Sequence, residues 1–219
     1  MKEIYQRVMT CSKFMNTKIV LSGFDFVDTF ETQLDKILKL TDDFPDAIVS
    51  FLVKLNFSVN SLLKSIEQAK ERLSALVVIG VTEKEIGSNI HERLLNLIRI
   101  KRQLFDCGWH GLTHVFGGLE QNLVKLYYLA GADIFDGLSW QRIRYRNNST
   151  LFDPSNYYIS LDENENKYLM MIDNLAVLHE MSNELAPMSG DRLDYMSKLE
   201  SLLNSGNYSI GDLLMLLGV

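Results

Sequence analysis

The feature that most constrains the fold is a repeat. Short β-branched apolar runs are each followed by a stretch whose apolar residues have helical spacing. KIVLSGF (18–24) stops at Gly23, and DTFETQLDKILKL (28–40) then places Phe30, Leu34, Ile37 and Leu38 on one helix face. DAIVSFLVKL (46–55) and SVNSLLKSIEQAKERL (58–73) repeat the pair, with Ser58 placed to cap the helix. ALVVIGV (75–81) is a continuous apolar run of the kind found in a sheet covered on both faces. Thr82 with Glu85 fits a capping box and predicts a long helix from there to about residue 105. LTHVFGG (112–118) and LEQNLVKLYYLAG (119–131) form the next pair, closed by Gly131, and IFDGLSW follows.

Such alternation with short connections predicts parallel βαβ units, in either an open doubly wound sheet or a barrel. Neither GxGxxG nor GxxxxGK[ST] occurs, which argues against a nucleotide-binding open sheet. After Trp140 the pattern changes. QRIRYRNNSTLFDPSNYY (141–158) reads as irregular and basic at its start, and KYLMMIDNLAVLHEMSNEL (167–185) as an amphipathic helix. DRLDYMSKLESLLN and SIGDLLMLLG supply one or two further helices. Five good strands fall short of the eight a closed barrel needs.

With only three prolines and no Gly/Ser-rich tract among 219 residues, the chain reads as one domain. Residues 1–146 hold the strand–helix units, and residues 147–219 hold a loop and the C-terminal helices. The formal net charge of -6 argues against a mainly electrostatic nucleic-acid binder, although a local basic patch fits within an acidic whole. The N-terminal MKEIYQRVMTCSKFM lacks the apolar core of a secretory signal, and no run approaches the roughly 18 apolar residues of a membrane span. Cys11 and Cys107 show no CxxC spacing and read as reduced thiols. The expectation is a soluble, cytoplasmic protein with no membrane partner.

AGADIFDGLSW (130–140) sets two acids, Asp133 and Asp136, in an otherwise apolar or small run. A buried carboxylate is costly unless it is paired, hydrogen-bonded or used. Strand periodicity puts residues 134, 136, 138 and 140 on one face, with Asp133 and Phe135 on the other. Asp133 stands where helix gives way to strand and is placed to cap or pair locally; Asp136 is expected deeper in the strand.

VVIGVTEKEIG, then a long helix, then THVFGGLEQNLVKLYYLAGADIFDGLSWQR resembles the tRNA-guanine transglycosylase family. The nearer likeness is to its DNA-directed relatives that insert 7-deazaguanine bases. It is good over about residues 75–146, weak over 17–74 and general in the C-terminal helices. The resemblance implies a TIM-barrel-like α/β fold of (β/α) repeats with C-terminal helices, and a chain this short implies an incomplete barrel. It implies base exchange at an N-glycosidic bond, with Asp136 as nucleophile, guanine as leaving base and a 7-deazapurine as incoming base.

His114, Gly117 and Gly118 would let the base or ribose approach the backbone; the bland alternative is a tight turn beside a satisfied histidine. Glu83 and Glu85 fall where the family places a glutamate near the purine, or else they are acids at a helix N-terminus. Arg142, Arg144 and Arg146 alternate with Ile143 and Tyr145, as phosphate contacts or as a solvated charge-balancing loop.

The chain also departs from the family. LSGFDF matches its Asp-Ser-Gly-Gly-Phe type turn in Ser22, Gly23 and Phe24 but carries Leu21 before the serine, with Asp25 as the nearest substitute. The strand ending VKLN lacks a purine-reading carboxylate, and no cysteine follows Cys107 to build the family's zinc site, so no cofactor is expected. An open partial barrel would expose strand edges, which implies a partner chain or homo-oligomer besides nucleic acid (DNA or RNA). Two classes of function follow: a minimal or split transglycosylase, or a non-catalytic relative that binds a partner or positions nucleic acid.

Overall fold

The computed structural model describes residues 20–22, 29–45, 47–53, 59–73, 78–137, 143–146, 149–151 and 162–216. It is a mixed α/β protein, mostly helical, with parallel strand pairing. In chain order the elements are β1 (Val20–Ser22), α1 (Phe30–Asp43), β2 (Ile48–Val53), α2 (Val59–Gln68), α3 (Lys70–Leu73), β3 (Val78–Thr82), α4 (Ile90–Asp106) and β4 (Leu112–Phe116). There follow α5 (Gln121–Leu129), β5 (Ile134–Phe135), β6 (Arg144–Arg146), β7 (Ser149–Leu151), α6 (Glu163–Leu185), a 3-10 turn (Ala186–Asp191), α7 (Arg192–Ser205) and α8 (Ile210–Met215). Two compact units divide the chain: Met1–Ile86 with Arg99–His114, and Gly87–Ile98 with Val115–Val219.

In the first unit β1, β2 and β3 lie side by side in chain order, and β4 is next to β3. Both described pairings are parallel, Val20 opposite Ile48 and Ser50 opposite Val78. Val49, Phe51, Leu52 and Val53 of β2 are all buried, so both sheet faces are covered there. That explains why IVSFLV carries apolar residues on both faces instead of alternating, with Ser50 its one polar side chain. Helix α1 buries Phe30, Leu34, Ile37 and Leu40, and the Phe30 ring meets Phe51 edge-on at 5.2 Å. Its N-cap is Thr29, whose hydroxyl accepts the Thr32 N–H at 3.2 Å. The Ser58 cap expected for the second helix lies outside the described residues.

The capping box expected at Thr82 and Glu85 does not open a helix. Thr82 is the last residue of β3, and its carbonyl accepts the N–H groups of Glu85 and Ile86 in a turn. Helix α4 begins at Ile90, where the Asn89 side chain accepts the Glu92 N–H at 2.9 Å. Glu92 reaches back to the Ser88 N–H (2.9 Å) and hydroxyl (2.6 Å). Gly87 separates turn from helix, and an added Cβ there would stand 2.7 Å from the Arg93 nitrogen.

The last two residues of β4, Val115 and Phe116, belong to the second unit, and β5 is the strand's next neighbour in the sheet order. Between them α5 is capped by Glu120, which accepts the Leu123 N–H at 2.9 Å. The helix ends in a Schellman motif: Ala132 N–H bonds to the Tyr127 carbonyl and Gly131 N–H to that of Tyr128, with Gly131 at φ 112°. The sequence stretch read as irregular from residue 141 contains an antiparallel hairpin, with Arg144 opposite Leu151 and Tyr145 opposite Thr150. The signal was present in the alternation of arginine with Ile143 and Tyr145, both of which are buried. Helix α6 starts before the expected residue 167, behind a complete capping box made by Asp162 and Glu165. Among the described residues no helix is long and apolar enough to cross a membrane.

Candidate functional site

Asp136 follows directly on β5, a strand of only two residues, and is exposed. Its Oδ1 accepts the backbone N–H of Gly117 at 2.9 Å, just past the end of β4. The expected depth of the two acids is therefore reversed. Asp133 is the more buried, and Asp136 emerges where the strand stops. The short strand is the reason: with the ladder ended at Phe135, nothing carries Asp136 back into the sheet.

Gly117 has φ 83°, in the left-handed region that glycine enters without steric penalty. That conformation turns its N–H toward the Asp136 carboxylate. Gly118 is needed for a different reason. A Cβ there would meet the Tyr127 ring at 3.2 Å and Val115 Cγ1 at 3.3 Å. The Gly-Gly pair thus combines one conformational and one packing requirement. The pair and Asp136 come together at the ends of adjacent strands.

The other sequence-predicted residues are placed as follows. His114 lies buried in β4 of the first unit. Glu83 and Glu85 are half-buried in the turn after β3. Arg144 is half-buried in β6; Arg142, Asp25 and the side chain of Arg146 lie outside the described residues.

Residue Asp133 has the partner that local reasoning anticipated in kind, but from a distant segment. Its Oδ1 pairs with Nη1 of Arg192, the first residue of α7, and both side chains are 16% exposed. Arg192 Nη2 donates to the Ala132 carbonyl and Nε to the Tyr128 carbonyl at 3.2 Å. Its guanidinium also lies 4.5 Å from the centre of the Tyr128 ring. Burial pushes the Tyr128 hydroxyl above the ordinary phenol range, against the opposing pull of Arg192, so this ring stays neutral. No sequence signal singles out Arg192, because its partners lie some 60 positions earlier.

An apolar pocket of about 350 Å³ opens beside this cluster, lined by Leu119, Tyr128, Phe135, Met181 and Leu185 among others. Asp133 and Phe135 line it while Ile134 and Asp136 do not, as strand alternation requires. Asp136 therefore faces away from this pocket.

The hairpin is tied into the same unit. Buried Asn174 of α6 accepts the Tyr145 N–H at 2.8 Å and donates to the Ile143 carbonyl at 2.6 Å. The Tyr145 hydroxyl donates to the Leu119 carbonyl, in the residue after Gly118. Among the described residues no three His, Cys, Asp or Glu side chains are grouped so that they could hold a metal ion. No family model matches the chain, and no curated protein matches its sequence.

Proposed function

We propose that this chain is a transglycosylase-like protein that exchanges guanine for a 7-deazaguanine base in DNA or RNA. The observation that carries the reading is the exposed Asp136 carboxylate at the end of β5, oriented by the Gly117 N–H at the end of β4. Chemistry in parallel α/β proteins gathers at the carboxyl ends of strands. Neighbouring strands also follow one another in chain order, which supports an incomplete TIM-barrel winding over a sheet with a reversal point.

In the proposed reaction an Asp136 oxygen bonds to C1′ of the nucleotide as the C1′–N9 bond breaks. Guanine leaves with that electron pair and gains a proton on its ring. The ester intermediate is then attacked by the ring nitrogen of a 7-deazapurine. That nitrogen loses its proton as the C1′–O bond returns its electrons to the carboxylate. An ionised carboxylate suits both attack and stabilisation of an oxocarbenium-like transition state. A target inside a duplex must first leave its stack. The arginines of 142–146, of which Arg144 is half-buried in β6, are offered as phosphate contacts. A partner chain or second copy, and a cytoplasmic setting, belong to the same proposal.

A second reading, a non-catalytic relative that binds a partner chain or positions nucleic acid, is favoured by one observation. Leu21 stands where the resembled family carries an acid. Guanine-containing DNA and RNA oligonucleotides decide between the two. The first reading expects a covalent protein–oligonucleotide adduct on denaturing gels and incorporation of labelled guanine, both abolished in a folded Asp136→Asn variant. A wild-type chain that gives neither adduct nor exchange overturns it.

A further inference from the structure

Strand β5 consists of two residues, so its own ladder contributes little to where it begins or ends. The connection that feeds it, Tyr128 to Asp133, is instead gripped from the side by Arg192. One guanidinium engages the Tyr128 carbonyl, the Ala132 carbonyl and the Asp133 carboxylate, and packs on the Tyr128 ring. Three of the four contacts are thus to acceptors spread over six consecutive residues. The planar fork of arginine allows this simultaneous engagement, which the single ammonium of lysine cannot reproduce. The cation also sits at the C-terminal end of α5, where it complements the helix dipole. Asp136 is three residues beyond the last of these anchors, on a segment with almost no ladder of its own.

We propose that Arg192 is a positioning residue for Asp136. By clamping the turn between α5 and β5, it sets where the carboxylate stands relative to the Gly117 N–H. The C-terminal helix α7 then belongs to the candidate site and is more than a covering layer. This inference rests on the transglycosylase reading for its catalytic consequence, but the geometric claim is testable without activity.

The Gly117 amide is the reporter, since its hydrogen bond to Asp136 exists only while the carboxylate is in place. The experiment measures amide hydrogen exchange by NMR in the whole chain for wild type, Arg192→Ala and Arg192→Lys, with the amides of β2 as reference. Expected is a rise of about tenfold at Gly117 in Arg192→Ala, a smaller rise in Arg192→Lys, and no change in β2. Where base exchange is measurable, kcat falls about 10- to 100-fold in Arg192→Ala with KM for the oligonucleotide unchanged, and Arg192→Lys recovers part of it. Unchanged exchange at Gly117 overturns the proposal even if the melting temperature drops, and so does an equal rise at every amide. If Arg192→Ala does not fold, Arg192→Lys decides by the same criteria. A wild-type chain without adduct formation removes the transglycosylase reading and leaves the Gly117 result standing on its own.

Discussion

The carboxylate of Asp136 accepts the backbone N–H of Gly117 across the ends of two neighbouring strands, at 2.9 Å. This relationship separates structure from chemistry at the candidate site. Asparagine keeps the accepting oxygen, so Asp136→Asn preserves the bond to Gly117 while removing the nucleophile. Its unfolding free energy should stay within about 0.5 kcal/mol of wild type, because the position is exposed. Adduct formation should vanish. Urea denaturation beside the trapping assay checks the pair. A large stability loss would make Asp136 chiefly a structural tie.

Glycines 87 and 190 offer a matched contrast. A Cβ at Gly87 would stand 2.7 Å from the Arg93 nitrogen and 2.8 Å from Glu92 Cβ, both close to backbone that cannot yield. At Gly190 nothing lies within 4 Å. Gly87→Ala should therefore destabilise by about 1–3 kcal/mol, as overpacking does, and unpack the start of α4. Gly190→Ala should be close to neutral. Chemical denaturation of the two variants measures the difference, and equal effects would refute the steric account.

Gly87 also shows where sequence reasoning stops. The pattern Thr82-x-x-Glu85 satisfies the capping-box rule, yet the helix waits until Asn89 and Glu92 repeat it. Two equally good local signals stood seven residues apart. The first falls in the turn that the Thr82 carbonyl closes with Glu85 and Ile86, and the second, with Glu92 bonded back to Ser88, opens the helix. The strands of the first unit were legible because burial on both faces demands continuous apolar runs, as in Val78 to Val81. The Gly131 helix end was legible because a left-handed residue is a local demand. Arg192 was not, since a clamp assembled by residues 60 positions apart leaves no periodicity to detect. The exposure of Asp136 was not legible, because it depended on how early β5 ends.

Acid should loosen the first turn of α4. Hydrogen bonds from the Ser88 hydroxyl and N–H hold the Glu92 carboxyl below its ordinary range. A group whose folded pKa is depressed contributes stability above its unfolded pKa and loses it as pH falls through the folded value. The contribution is thus complete at neutral pH and disappears below the ordinary glutamate range. Hydrogen exchange at Ser88 and Glu92 should accelerate as pH is lowered through that window, beyond the intrinsic pH effect. In Glu92→Gln that excess should be absent. An excess that persists in the variant would assign it to another group.

Cysteine 107 should be a slow thiol. Burial is the main effect pushing its pKa up; the Gln103 amide opposes it, and Glu67, to which Sγ donates at 3.3 Å, adds to it. Because the thiolate is the reactive form, alkylation by iodoacetamide near pH 8 should run slower than for glutathione. Glu67→Gln should speed it by removing the adjacent negative charge. Labelling rates followed by mass spectrometry test both statements, and reaction at or above the glutathione rate would contradict the assignment.

Asn174 is the strongest stability prediction. Its amide is fully buried in α6 and serves both polar groups of the hairpin entrance, accepting from Tyr145 N–H and donating to the Ile143 carbonyl. Alanine strands a buried donor and a buried acceptor together, each costing about 1–3 kcal/mol when unpaired. Asn174→Ala should lose at least about 2 kcal/mol by urea unfolding. Asn174→Asp retains an acceptor for Tyr145 but turns a charged or protonated oxygen toward the Ile143 carbonyl. At neutral pH it should be as damaging as alanine or worse, and it should recover partly under mild acid as the carboxyl takes up a proton and becomes a donor. That reversal distinguishes a hydrogen-bonding role from simple packing, since loss of volume carries no such pH dependence. Equal stability of the aspartate variant across the acid range would show that Asn174 acts through packing alone.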